Sequence, residues 1–119
     1  MRFALILLFT STLALAQSWS GYLVNSSCYR NDQTNTNKYG GTTDRDMTMV
    51  VKQCSPNANT KSFALVLSDW SSLKLDAAGN AKAAEVVRNS GSDAPLQVTV
   101  TGDRTNKQLK VASIAKAAQ

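Results

Sequence analysis

Two alternating segments near the C-terminus constrain the fold more than any other feature of this sequence. Residues 96–101 alternate between apolar and polar side chains, and in residues 109–114 Leu109, Val111 and Ser113 alternate with their neighbours through Ile114. A period of two is the pattern of a strand that buries one of its faces. The reversal between them, Gly102 to Lys107, is rich in turn-forming residues and predicts a hairpin. The tail that follows, Ala115 to Gln119, has little to pack against and is expected to fray.

Three further segments predict strands. Residues 19–24 are aromatic and branched, and Gly21 among them indicates a bulge or a close approach of another backbone. The apolar run Phe63 to Leu67 is the length of a strand buried on both faces. After a turn at Ser68 and Asp69, Leu73 and Leu75 alternate with polar residues, as expected for a half-buried partner strand.

Residues 44–54 fit two patterns, of which we prefer the helix. In a strand, Met47, Met49 and Val51 would lie on one face with the intervening residues on the other. In a helix, one apolar face would consist of Met47, Val50, Val51 and Cys54. Thr43 is a suitable N-cap, and Pro56 lies beyond the expected end of the helix. A second, shorter helix is predicted over residues 81–89, with Asn80 as its cap and Gly91 as its stop.

The predicted order is therefore strand, helix, strand, strand, helix, strand, strand. Five strands with a helix between the third and the fourth is the element order of an OB-fold. We predict a chain that is mainly β with one or two short helices, folded as an OB-fold-like five-stranded barrel. An open five-stranded sheet with helices on one face fits the same order and stays open as the alternative.

The N-terminus predicts export. Arg2 precedes an uncharged apolar run from Phe3 to Ala16, and the run ends with small side chains at the two positions that signal peptidase reads. It is shorter than the roughly 20 residues of a membrane span. We expect residues 1–16 to be a signal peptide and residues 17–119 to be one domain, secreted or periplasmic, monomeric and without a transmembrane segment.

The two cysteines, Cys28 and Cys54, are expected to form a disulfide, because pairing is the default in an oxidising compartment. A metal site is not expected, since two thiolates are too few for zinc and the chain contains no histidine. The segment 29–43 is rich in polar residues, and we predict a long surface loop there.

Both ends of the predicted domain resemble one group of proteins. Residues 19–28, with Gly21, Leu23, Asn25 and Cys28, are similar to the Gly-x-aliphatic-x-Asp-x-x-Cys start of small secreted bacterial proteins of uncharacterised function. The close, from Val98-Thr99-Val100-Thr101-Gly102 to Ile114, is similar to the Val-x-Val-x-Gly close of the same group. The resemblance implies an OB-like barrel in the bacterial envelope or outside it. Asn25 stands where that group often has aspartate.

An enzyme is not expected. Without histidine the chain lacks the usual general base near neutral pH. The carboxylates give no facing pair of the kind that glycoside hydrolysis needs, and no glycine-rich loop is placed to cradle a phosphate. We therefore predict no catalytic residues and no cofactor.

A binding module is the leading functional class. OB barrels bind oligosaccharides and oligonucleotides on the face of strands 2 and 3 and in adjoining loops. Trp70, at the turn between strands 2 and 3, could stack on a sugar or a base. The densest basic patch, in the last hairpin, comprises Arg104, Lys107 and Lys110. Export favours an anionic envelope polymer or an oligosaccharide as the ligand. The rival class is a structural or interaction protein of the envelope that has no small ligand.

Overall fold

The computed structural model describes residues 17–31, 44–90 and 95–117 of the 119-residue chain. For residues 44–46 it describes the backbone only. The strands are β1 (Gln17–Asn25), β2 (Phe63–Val66), β3 (Ser72–Leu75), β4 (Leu96–Thr105) and β5 (Gln108–Lys116). The helices are α1 (residues 26–31), α2 (Asp44–Gln53) and α3 (Ala77–Ser90). The predicted signal peptide, residues 1–16, and residues 32–43 of the predicted loop lie outside the described residues.

The five strands form a closed barrel in the order β1-β2-β3-β5-β4. The pairing of β3 with β5 is parallel, and the other four pairings are antiparallel. The predicted mainly β, OB-fold-like five-stranded barrel is therefore confirmed, and the open-sheet alternative is wrong. Helix α3 lies between β3 and β4, as predicted.

Strand β1 changes partner along its length, and this change places the later site. Residues 17–23 pair with β4, whereas residues 22–25 pair with β2. At the change, a Cβ on Gly21 would collide with the carbonyl oxygen of Val66. Only glycine permits the two backbones to come this close, so the predicted close approach at Gly21 is confirmed.

The barrel interior holds the first of two apolar clusters. Alternate side chains of every strand point inward, and α3 closes one end with Ala83. The predicted alternation of β4 is confirmed, because Val98 and Val100 are fully buried, whereas Gln97 is exposed and Thr99 is half-buried.

The second cluster lies on the outside of the barrel. Helices α1 and α2 cover the outer face of β1 and β2, where Val24, Ala64 and Val66 are buried. The predicted helix at residues 44–54 is confirmed, since its proposed apolar face is buried in this cluster: Met47, Val50, Val51 and Cys54. The predicted disulfide is also confirmed, and it joins Cys28 of α1 to Cys54 at the end of α2.

Helix α1 corrects part of the predicted loop. Asn25 accepts hydrogen bonds on its side-chain oxygen from the backbone N–H groups of Ser27 and Cys28, at 3.1 and 3.2 Å. This is an N-cap, for which asparagine and aspartate serve equally well. Residues 29–31, predicted as loop, are therefore helical.

The start of α3 is also corrected. Asp76 caps the helix by accepting a hydrogen bond from the N–H of Gly79 at 2.8 Å, so the helix begins at Ala77. Asn80, predicted as the cap, instead accepts a hydrogen bond from the N–H of Phe63 at 3.0 Å. It therefore ties α3 to β2.

The last hairpin is tighter and longer than predicted. The turn is only Asn106 and Lys107, and Asn106 has a positive φ of 58°. Gly102 lies within β4, at a shift of register where a side chain would collide with the carbonyl oxygen of Lys110. Strand β5 continues to Lys116, and the N–H of Ala117 donates to the carbonyl oxygen of Gln97 at 2.9 Å. The predicted fraying is therefore wrong for residues 115–117.

Candidate functional site: a cleft beside Trp70

A cleft of about 290 Å³ lies where β1 leaves β4 for β2. Its walls are the middle of β1, the turn after β2 and the start of β4. The lining residues are Ser20, Gly21, Tyr22, Val66, Leu67, Ser68, Trp70, Gln97, Val98 and Ala117.

The backbone of Trp70 has an unusual conformation. Its φ is 66°, in the left-handed region that a bulky residue rarely adopts. Two hydrogen bonds hold it there. The N–H of Trp70 donates to the carbonyl oxygen of Leu67 at 3.0 Å, and the phenol of Tyr29 donates to the carbonyl oxygen of Trp70 at 2.6 Å. The wall of the cleft is thus fixed from within its own turn and from helix α1.

Asp69 stabilises the same turn. Its carboxylate accepts hydrogen bonds from the hydroxyl of Ser71 at 2.5 Å and from the N–H of Ser71 at 3.0 Å. These two bonds hold the pKa of the Asp69 carboxyl below its usual range, and the charge of Arg104 adds to the effect. The turn is therefore built for an ionised Asp69.

Tyr29 is the link between the outer cluster and the cleft. Its side chain is buried, and burial, together with the negative charge of Asp69, raises the pKa of its phenol to about 12. The phenol therefore stays protonated and remains a hydrogen-bond donor to the Trp70 carbonyl oxygen throughout the neutral range.

The cleft offers aromatic surface and uncharged polar groups. Tyr22 is opposite Val66 on one side and Gln97 on the other, so it spans the junction of the two strand pairs. Ser20, Ser68 and Gln97 supply hydroxyl and amide groups. None of the lining residues is an acid or a base other than the Tyr22 phenol. Aromatic walls with a few polar groups are the usual composition of a small-molecule site.

The predicted site residues do not come together in one cavity. Trp70 lines the cleft, whereas Arg104, Lys107 and Lys110 are exposed on the β4–β5 hairpin and do not line it. Carboxylates accompany the hairpin cations: Asp103 is opposite Lys110, and the charge of Arg104 acts on Asp69.

The outer face of β2 and β3, where OB barrels commonly bind ligands, is partly covered in this protein. Ala64 and Val66 are buried in the outer cluster beneath the helices, while Lys74 of β3 stays exposed. A ligand therefore has less access to this face than in an uncovered barrel, and the cleft is the better-formed site.

Tyr22, Ser20 and Gln97 are site residues that the sequence did not reveal. The alternation in β1 and β4 places them on outward positions, but it does not give the register that brings Tyr22 beside Gln97. Their proximity to Trp70 follows from the change of partner at Gly21, which becomes visible only once the barrel is closed.

No protein-family model, curated protein or solved structure matches this chain. Within residues 17–31, 44–90 and 95–117, no group of three acidic, cysteine or histidine side chains is placed to hold a metal ion. In the same part of the chain, no helix is both long enough and apolar enough to cross a membrane.

Proposed function

We propose that this chain is an extracytoplasmic binding module whose cleft takes a short, uncharged, hydroxyl-rich ligand, an oligosaccharide. The observation that carries the proposal is the left-handed Trp70, held by the Tyr29 phenol in the wall of a cleft that also contains Tyr22. Backbone strain of this kind costs about 1–3 kcal/mol, and it clusters at functional sites.

The composition of the cleft favours an oligosaccharide over an anionic polymer. Aromatic faces pack against the apolar faces of sugar rings, while hydroxyl and amide groups exchange hydrogen bonds with sugar hydroxyls. No cation lines the cleft, and the predicted basic residues are placed elsewhere, with carboxylates near them. The disulfide and the predicted signal peptide support an extracytoplasmic setting.

The rival, an envelope protein that docks on other proteins, has less support. Such docking favours a contiguous exposed apolar patch. Among the described residues, Met49 on α2 is the single large apolar side chain that is exposed. One isolated side chain is ordinary for a protein surface.

The test is a screen of the protein against neutral oligosaccharides and anionic polymers at low and high salt. We expect neutral oligosaccharides to bind, with an affinity that salt does not change. Trp70→Ala should weaken binding by about tenfold, from the roughly 1.5 kcal/mol of an aromatic contact. Trp19→Phe is the matched control, because Trp19 packs against the barrel core and does not line the cleft.

Two outcomes would count against the proposal. One is a folded parent protein that binds no neutral oligosaccharide. The other is a Trp70→Ala variant with the parent's affinity. If the protein binds only anionic polymers, and this binding is lost when the hairpin cations are neutralised, the binding site is on that hairpin and not in the cleft.

A further inference from the structure

The polar side of the cleft continues as rows of hydroxyl groups across β1, β4 and β5. Tyr22 is opposite Gln97 in the row that lines the cleft. The next row sets Ser20 opposite Thr99, and the row after that sets Ser18 opposite Thr101. Successive side chains on one face of a strand are about 6.6–6.8 Å apart, so the three rows extend about 13 Å along the sheet.

These hydroxyl groups face outward and pair with one another. Val98 and Val100 point into the barrel, which places Thr99 and Thr101 on the outer face. The hydroxyl oxygens of Ser20 and Thr99 are 3.1 Å apart, and those of Ser18 and Thr101 are 3.4 Å apart. A hydrogen bond between two hydroxyls uses one of the two O–H donors, so each pair keeps one donor and several lone pairs for a ligand.

Strand β5, next to β4, extends the same surface without adding charge. Ala115 is opposite Thr99, and Ser113 is opposite Thr101. Both are exposed. Lys116 pairs with the inward-facing Val98 and so belongs to the other side of β5. Across the three rows, no side chain is an acid or a base except the Tyr22 phenol, and the first facing charges, Asp103 and Lys110, lie beyond them.

We infer that the cleft and these rows form one elongated site, and that its ligand is a linear, neutral polysaccharide. One end of the ligand packs against Trp70 and Tyr22, and the following sugars lie across the rows of Ser20 and Ser18. This inference rests on the proposed function and extends it from a short ligand to a polymer. A face without charges suits a polymer without charges, and hydroxyls that both donate and accept match a ligand whose hydroxyls do the same.

The experiment compares ligand length. The probes are glucose and N-acetylglucosamine oligomers, each as the dimer, the tetramer and the hexamer, titrated by calorimetry. The variants are Thr99→Val and Thr101→Val, which keep the shape and the strand preference of threonine but remove the hydroxyl. Thr105→Val is the matched control, because Thr105 is exposed on the same strand beyond the rows and does not line the cleft.

We expect the affinity of the parent protein to rise from dimer to hexamer. Thr99→Val and Thr101→Val should each lower hexamer affinity by about 2- to 10-fold, the value of one hydrogen bond. Thr101→Val, one row farther from the cleft and paired with Ser18, should leave dimer affinity unchanged. Thr105→Val should leave both affinities unchanged. The melting temperature of each variant shows that it has folded.

Each opposing result has its own meaning. If the dimer and the hexamer bind the parent equally, or if the Thr99→Val/Thr101→Val double variant keeps the parent's hexamer affinity, the elongated site is wrong and the short-ligand cleft stands. If neither series binds the folded parent at any length, both the elongated site and the proposed function are wrong.

Discussion

Replacing Tyr29 with phenylalanine tests the link between the outer helices and the cleft. The change removes one oxygen atom, the phenol oxygen that donates to the carbonyl of Trp70 at 2.6 Å, and leaves the buried ring in place. The outer cluster keeps its packing, so the variant isolates the hydrogen bond. Any effect on Trp70 then reports on this contact.

The size of the effect follows from two free energies of similar magnitude. The net contribution of one hydrogen bond to stability is about 0.5–1.5 kcal/mol. The left-handed backbone of a non-glycine residue costs about 1–3 kcal/mol. Without the phenol, the strain at Trp70 is no longer offset, and we expect the turn to leave its left-handed conformation in a large fraction of molecules. The melting temperature should fall by about 2–12 °C, at 4–8 °C per kcal/mol for a domain of this size.

Two measurements check this prediction. Thermal denaturation gives the change in melting temperature, and NMR follows the indole N–H signals of Trp70 and Trp19. We expect the Trp70 signal to shift or broaden, whereas the Trp19 signal, from the barrel side, stays in place. The reasoning is refuted if both indole signals and the melting temperature match those of the parent.

A pH titration provides an independent check. The folded-state pKa of Tyr29, about 12, lies above the value near 10 of an unfolded tyrosine. The protonated phenol is favoured in the folded state, so its stabilisation is complete below pH 10 and is lost as the pH rises through about 12. As the pH rises from about 10 to about 12, the unfolding free energy of Tyr29→Phe should fall less steeply than that of the parent. Chemical denaturation at a series of pH values measures both slopes.

Four further outcomes follow from the sequence and the structure. Cys28→Ser should lower unfolding free energy by about 3–4 kcal/mol, seen by denaturation, whereas two titratable thiols in the native parent would contradict the disulfide. Gly21→Ala should cost about 1–3 kcal/mol, because its Cβ meets the Val66 carbonyl, and an unchanged melting temperature would show that the backbones separate freely. The intact mass of the exported protein should correspond to a chain beginning at Gln17, and a mass that includes Met1 would rule out cleavage. Neutralising the exposed hairpin cations Arg104, Lys107 and Lys110 should leave the melting temperature and oligosaccharide binding unchanged. A loss of oligosaccharide binding in this variant would show that the hairpin contributes to the site.

Much of the barrel could be predicted from local patterns. Alternation identified β4 and β5, and a continuous apolar run identified β2, because burial on one face or on two leaves a direct trace in the sequence. The apolar face of α2 was equally clear. The ends of elements were less clear, because several polar residues near each end can serve as a cap. Asp76, rather than Asn80, caps α3, since Asn80 bonds to Phe63 across the fold.

The cleft could be predicted only in part. Trp70 was identified because it is an aromatic residue in a turn. The role of Tyr29 was not visible, because its partner is a backbone carbonyl 41 residues away, and no sequence pattern marks such a contact. The basic hairpin stays a prediction: its clustered charges are visible in the sequence, whereas the carboxylates that the fold brings near them, Asp103 and Asp69, are visible only in the structure.

The pairing of β1 with β4 joins the two ends of the domain, so it can form only when nearly all of the domain is present. Ser20 and Thr99 are 79 residues apart in the chain, whereas the two cysteines are separated by 26. Contacts between distant residues slow folding, because the entropy of closing a long loop is lost before the contact forms. Because the chain is synthesised from its N-terminus, β1, α2 and the disulfide can form before β4 has been made. The cleft needs Gln97 and Ala117, so it cannot be complete before β4 and β5 are in place, and a chain that stops before β4 would lack it.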